Sequence, residues 1–84
     1  MEKKLIGKIS HFYHKPNVAV LDLIDELKVG DKISIEGVTT NIQQKVESMQ
    51  MEHKEIKVVK KGDAIGLKVK DRVRQNDHVY KIIV

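Results

Sequence analysis

TTNIQQKVESMQM, residues 39–51, changes phase in its middle. Ile42 and Val46 fall on even positions, Met49 and Met51 on odd ones. Successive side chains of a strand point to opposite faces, so one uninterrupted strand cannot bury all four. An extra residue near Glu47 and Ser48 would re-aim everything after it, which is what a β-bulge does. Bulges of this kind let a long strand bend around a closed or nearly closed sheet. Without one, Met49 and Met51 are simply exposed.

Outward from this stretch the dominant period is two, the period of strands. In DKISIEG, residues 31–37, Ile33 and Ile35 are expected to face inward and Lys32, Ser34 and Glu36 outward, with Gly37 turning the chain. Residues 5–13 alternate in the same way and end at the turn signal His14-Lys15-Pro16-Asn17. Residues 18–23 make a second strand. Residues 24–30 are expected to connect, although Val20, Leu23, Ile24 and Leu27 also fit a helical stripe. EIKVV, AIGLKV and HVYKIIV supply the later strands. The segments are short, and their turns carry Gly, Asp or Asn. The expected fold is all-β, with residues 1–84 forming one small closed barrel of six or seven strands.

A chain of 84 residues has a core only just sufficient for one domain. It has no cysteine, so neither a disulfide framework nor a thiolate metal site is available. No run reaches the roughly 18 apolar residues of a membrane span, and MEKKLIGKIS lacks the apolar stretch of a signal peptide. The expected location is the cytoplasm. The net charge of +4 is unevenly spread. Residues 1–42 carry six Lys and six acids, whereas residues 43–84 carry ten Lys or Arg against six acids. Such asymmetry suits a polyanionic partner, or serves only to keep the chain in solution. The aromatic residues are Phe12, Tyr13 and Tyr80, too few for a platform that stacks single-stranded bases.

The excess charge concentrates in GLKVKDRVRQND, residues 66–77. Read as a strand, it sets Lys68, Lys70, Arg72 and Arg74 on one side and Leu67, Val69 and Val73 on the other. Alternate side chains on one face lie about 6.6 Å apart, so four make a cationic edge of roughly 20 Å. Lys60 and Lys61, in the preceding turn, extend it. A row on this scale can follow a phosphate backbone, with bidentate geometry from the arginines. It equally serves as a solvated face that discourages edge-to-edge pairing.

Catalytic groups are not legible. His11 and His14 are three apart, which on a strand sends them to opposite faces, and no third ligand accompanies them. His53 and His78 are isolated. Asp22, Asp25 and Glu26 lie in or beside a turn with no apolar pocket to raise a pKa. No Ser or Thr stands in a nucleophile-elbow context. The chain is expected to be no enzyme and to hold no metal or cofactor.

The turn residues follow an ordered series. Gly7-Lys8-Ile9 opens it, followed by Val29-Gly30-Asp31, then Thr40, Val46 and Ser48, then Gly62-Asp63-Ala64-Ile65-Gly66-Leu67. This series resembles the second, β-barrel domain of translational GTPases such as elongation factor Tu, over about residues 5–83. Gly in these turns allows positive φ or close backbone approach, and Asp31 and Asp63 can accept backbone N–H groups. Gly66 marks a bulge or a close approach. No G-x-x-x-x-G-K-[ST] loop is present, so no nucleotide is bound by the chain itself. The resemblance implies a non-catalytic module binding tRNA, rRNA or the ribosome through Lys60, Lys61, Lys68, Lys70, Arg72 and Arg74. A similar barrel closes collagenase-like peptidases as an accessory module. The second expectation is therefore a protein-interaction module docking on a separately encoded GTPase or enzyme, and the third is self-association through a barrel edge.

Overall fold

The computed structural model describes residues 2–13, 15, 17–52 and 54–83; His14, Pro16 and His53, on which parts of the sequence reading fell, lie outside them. Among the described residues ten strands form: β1 (Glu2–Tyr13), β2 (Val18–Leu23), β3 (Leu27–Lys28), β4 (Lys32–Glu36), β5 (Asn41–Lys45), β6 (Met49–Met51), β7 (Lys54–Ile56), β8 (Val58–Val59), β9 (Ala64–Lys68) and β10 (His78–Ile83). Eight join in one antiparallel sheet of order β5-β4-β10-β1-β2-β9-β6-β7, while β3 and β8 pair separately. The alternating residues do form strands. The connection after β2 is bends and a two-residue strand rather than a helix, with Leu27 fully buried.

The closed six- or seven-stranded barrel expected from the sequence is corrected here. Among the described residues the hydrogen-bonded ladders begin at β5 and end at β7 without joining. The sheet is nevertheless rolled. Only Val46, Glu47 and Ser48 link β5 at one end of it to β6 near the other, and so few residues span about 14 Å at most. This also explains the phase change in residues 39–51. Ile42 and Val46 are buried, then Met49, as the periodicity requires. The device is a strand break that carries the chain from one end of the sheet to the other, in place of a bulge within one strand.

Bulges occur instead in β1. Its register shifts between Leu5 and Gly7 against β10, and between Ile9 and His11 against β2. A strand of 12 residues pairing on both sides must coil, and extra residues let it do so. At Gly7 the backbone of β2 presses close. A Cβ there would collide with the carbonyl oxygen of Asp22.

Ile6, Ile9, Leu21, Ile33, Ile35, Met49, Ile65, Leu67, Val69 and Val73 fill the interior of the roll. Burial of each such side chain contributes about 1.5–3 kcal/mol before conformational entropy is counted. Ser34, expected outside, is indeed opposite Tyr80 on the outward side but is fully covered. Its Oγ donates to Glu36 Oε2 at 2.7 Å, which satisfies the buried hydroxyl.

The turns follow the glycine and aspartate signals. Gly30 and Gly62 adopt φ of 100° and 90°, the left-handed region open to glycine at little cost. Asp31 Oδ2 accepts the N–H of Lys28 at 3.1 Å, a bond that runs back three residues and closes the turn. Gly66 lies within β9 between β2 and β6, where a Cβ would sit 3.3 Å from Val18 Cγ1. It is a close approach of neighbouring strands, one of the two roles expected of it.

Candidate functional site

Residues 66–77 do not form one strand. β9 ends at Lys68, and residues 70–77 run through bends to a turn. The in–out partition still holds: Leu67, Val69 and Val73 are buried, while Lys68, Lys70, Arg72 and Arg74 are exposed. The four cations are thus not a straight row of strand spacing. They follow a curved segment pinned at both ends.

The C-terminal pin is Asp77, 4% exposed. Its Oδ2 accepts the N–H of Arg74 at 2.8 Å, and its own N–H donates to the Arg74 carbonyl at 3.1 Å. Asn76 takes φ of 75° in this turn, a conformation Asn tolerates better than most residues. The turn is sewn to β1, since Ile9 N donates to Asp77 O at 2.8 Å and Asn76 N to Ile9 O at 2.7 Å. Asp77 Oδ1 packs directly on Gly37, leaving no space there for a Cβ.

The N-terminal pin is the seam with β5. Gln44 Nε2 donates to the Lys68 carbonyl at 3.0 Å, and Gln44 Oε1 accepts the N–H of Lys70 at 2.9 Å. Val69 N turns the other way and donates to Asn17 O at 3.0 Å. One side-chain amide therefore stands where a neighbouring strand would have placed a peptide bond.

Two grooves lie along this seam. One, of about 270 Å³, is lined by Gln44, Lys45, Glu47, Lys68, Val69 and Lys70. The other, of about 300 Å³, has Thr39, Asn41, Ile42, Asp71, Arg72 and Arg74 among its walls. Five cations face them against Glu47 and Asp71. None of the five takes part in an ion pair among the described residues, where Lys3–Glu36, Lys4–Asp25 and Lys81–Asp31 are the pairs formed. Lys60 and Lys61 do not join the group, because they lie in the turn preceding β9, at its opposite end. Lys45 is the residue the sequence reading missed. Its outward position on β5 follows from alternation with Ile42 and Val46 on a bent strand, but its nearness to Lys68 and Lys70 depends on the rolling of the sheet.

Other candidates remain apart. His11 stacks near Tyr13 with ring centroids 4.4 Å apart, and His78 lies 6.4 Å from Tyr80. Among the described residues no three of His, Asp and Glu cluster as metal ligands. The Lys4 ammonium, bonded to Asp25 at 2.6 Å, and then the backbone N–H of Glu26 hold the Asp25 carboxyl below its ordinary range. Lys3 and Ser34 do the same for Glu36. Carboxylates held ionised in this way are structural partners, ill suited to donate protons. No helix among the described residues is long and apolar enough to cross a membrane.

The fold, compared with solved structures, matches the C-terminal domain of a putative U32 peptidase from Geobacillus thermoleovorans. The TM-score is 0.88 at 17% identity, covering 95% of this chain and 93% of that one. Among curated proteins, the chain is 43% identical over 76 residues to an uncharacterized protease of Methanocaldococcus jannaschii, covering 89% of this chain and 19% of that one. It is 35% identical over 82 residues to a collagenase of Porphyromonas gingivalis, covering 95% of this chain and 23% of that one. The chain thus spans about a fifth of the length of the curated relatives it matches. No family model matches it.

These likenesses overturn the resemblance to a translational GTPase barrel and, with it, the expected role as an RNA-binding translation module. The physical cause of the misreading is specific. The quoted series consisted of Gly-Asp turns and alternating aliphatics, which small β-domains need for positive φ and for turn closure whatever their ancestry. Such positions report backbone geometry and carry little information about lineage.

Proposed function

We propose that this chain is an accessory β-domain of the U32 peptidase type, non-catalytic in itself, which packs against a peptidase body and orients it or its substrate. The observation that carries this reading is a pair of coverages. Nearly the whole chain aligns, yet it accounts for only 19% and 23% of two relatives named as a protease and a collagenase. A segment of that size has the proportions of a module beside a larger catalytic part. The match of nearly all of it to a domain solved separately from the rest of its peptidase supports the same view. The charge pattern also fits, because the exposed cations and structurally engaged carboxylates offer binding rather than proton transfer. A chain without cysteine needs no oxidising compartment to fold, which keeps the cytoplasm as the proposed location.

A graft tests the reading. The segment of the P. gingivalis collagenase that aligns with this chain is replaced by residues 1–84, and hydrolysis of denatured collagen is compared for the chimera, the collagenase lacking the segment, and the isolated chain. The chimera is expected to exceed the truncated enzyme, and the isolated chain to be inactive. Hydrolysis by the isolated chain, or a chimera no better than the truncation, would count against it.

A further inference from the structure

We infer that the outer edge of β5, together with the cationic seam between it and residues 68–74, is a docking site for an extended acidic peptide, which binds by adding as a strand to β5. This goes beyond the accessory role and does not depend on it.

The first observation is an edge that no ladder pairs among the described residues, bridged to residues 68–70 by the Gln44 side chain. β5 pairs only with β4 and ends the sheet. The hairpin bonds Gly37 N to Thr40 O at 2.8 Å and Val46 N to Asp31 O at 2.8 Å mark the hydrogen-bonded pairs of the β4–β5 ladder. Alternation between them assigns Ile42 and Gln44 to β4 and turns the N–H and C=O groups of Asn41, Gln43 and Lys45 away from it. Among the described residues no backbone bond reaches these groups, and the three residues are exposed. A five-residue edge of about 17 Å is a ready template for another extended chain.

The second observation selects a peptide as the occupant. The Gln44 carboxamide already binds Lys68 O and Lys70 N across the seam. A carboxamide carries the same donor and acceptor as a peptide bond, so a peptide amide that takes the place of the Gln44 side chain would meet the same two groups. Strand addition uses that chemistry: main-chain bonds supply affinity, and pockets for alternate side chains supply specificity.

The third observation sets the charge of the occupant. Lys45, Lys68 and Lys70 stand at one end of the β5 edge, Arg72 and Arg74 at the other. Side chains of an added strand that point into the two grooves alternate along it, and carboxylates there would meet five cations, none in an ion pair among the described residues, against Glu47 and Asp71. The same cations deter a second copy of this edge from pairing, since each copy would bring its own five to the contact. A nucleic acid would meet the cations but leave the row of N–H and C=O groups on β5 unused.

The test is fluorescence anisotropy of a labelled decapeptide in which Glu alternates with Val and Thr, titrated with the 84-residue chain at low salt. Saturable binding is expected. N-methylation of alternate peptide amides, which removes the donors to β5, is expected to weaken it about tenfold. Lys45→Glu combined with Arg72→Glu is expected to weaken it about tenfold or more. Gln43→Pro removes an outward N–H that β4 does not use, so it is expected to weaken binding while the circular dichroism spectrum and melting are retained. The proposal is overturned by the absence of saturable binding up to about 1 mM, or by N-methylated peptide binding as tightly as the parent. An oligouridylate of equal charge that binds more tightly than the peptide also overturns it, because charge alone would then account for the site.

Discussion

Gln44 Oε1 accepts the backbone N–H of Lys70 at 2.9 Å, while the same carboxamide donates to Lys68 O at 3.0 Å. The side chain joins β5 to residues 68–70, between which no ladder forms among the described residues, and so it acts as a clasp on the seam. Gln44→Ala removes both bonds, but water can reach the groups released. The expected cost is therefore about 1–2 kcal/mol rather than the larger penalty of a buried orphan. Native-state hydrogen exchange should show the Lys70 amide less protected, with the Val69 amide, bonded to Asn17, unchanged. Equal loss at both amides would mean that the whole of β9 depends on the clasp.

Gly7→Ala tests the close approach of β1 to its neighbour β2. The new methyl would meet the carbonyl oxygen of Asp22, a backbone atom held by the ladder on either side. One strand must move, at an expected cost of about 1–3 kcal/mol. Urea denaturation would measure it. An unchanged midpoint would show that the bulge between Leu5 and Gly7 takes up the methyl without strain.

Asp77→Ala removes the acceptor of the Arg74 N–H in a turn that is itself bonded to Ile9. The buried position makes replacement by water inefficient, so a loss of about 1–3 kcal/mol is expected. The amide resonances of Arg74 and Asn76 should shift first. Asp77→Asn retains an acceptor in the same place and should recover much of the loss. If Asn is as damaging as Ala, the turn needs the carboxylate charge as well as its oxygen.

Two carboxyls link stability to pH. In the folded state Asp25 and Glu36 titrate below their ordinary values of 3.8 and 4.5, chiefly through the bonds from Lys4 and Lys3. A carboxyl whose folded pKa is depressed binds its proton more readily when the chain unfolds. Its contribution is present in full above those ordinary values and is lost as pH falls through the lower folded ones. Both groups are half-buried and reach the surface, so salt should diminish the effect. Carbon-detected titration of the side-chain carboxyls would measure both, and Lys4→Ala should restore Asp25 toward its ordinary value while leaving Glu36 unmoved. A coupled response would indicate a shared network.

Much of the strand inventory was legible, because period-two alternation is a local property. Ile33 and Ile35 face inward for the reason the spacing of DKISIEG indicates, and β2 covers residues 18–23 as read. The burial of Ser34 was not legible. It depends on Glu36 folding back over the hydroxyl and on Tyr80 lying opposite, across 46 residues of chain. The candidate site was half legible. Which side chains of residues 66–77 face water followed from alternation, yet the end of β9 at Lys68 did not, since nothing in Val69-Lys70-Asp71 breaks the pattern.

By itself, the order of residues determined that this chain forms β-strands, where most of its turns fall, and that its second half carries the positive charge. These are consequences of side-chain alternation, of the backbone freedom of glycine, and of composition. Only the tertiary structure decided that the sheet rolls without closing, that Val46–Ser48 carry the chain from one end of it to the other, and that Lys45 joins Lys68, Lys70, Arg72 and Arg74 around an open edge. The physical reason is that strand pairing and seam width are set by hydrogen bonds and packing between distant segments. No local pattern encodes which edge will be left over when the core is full.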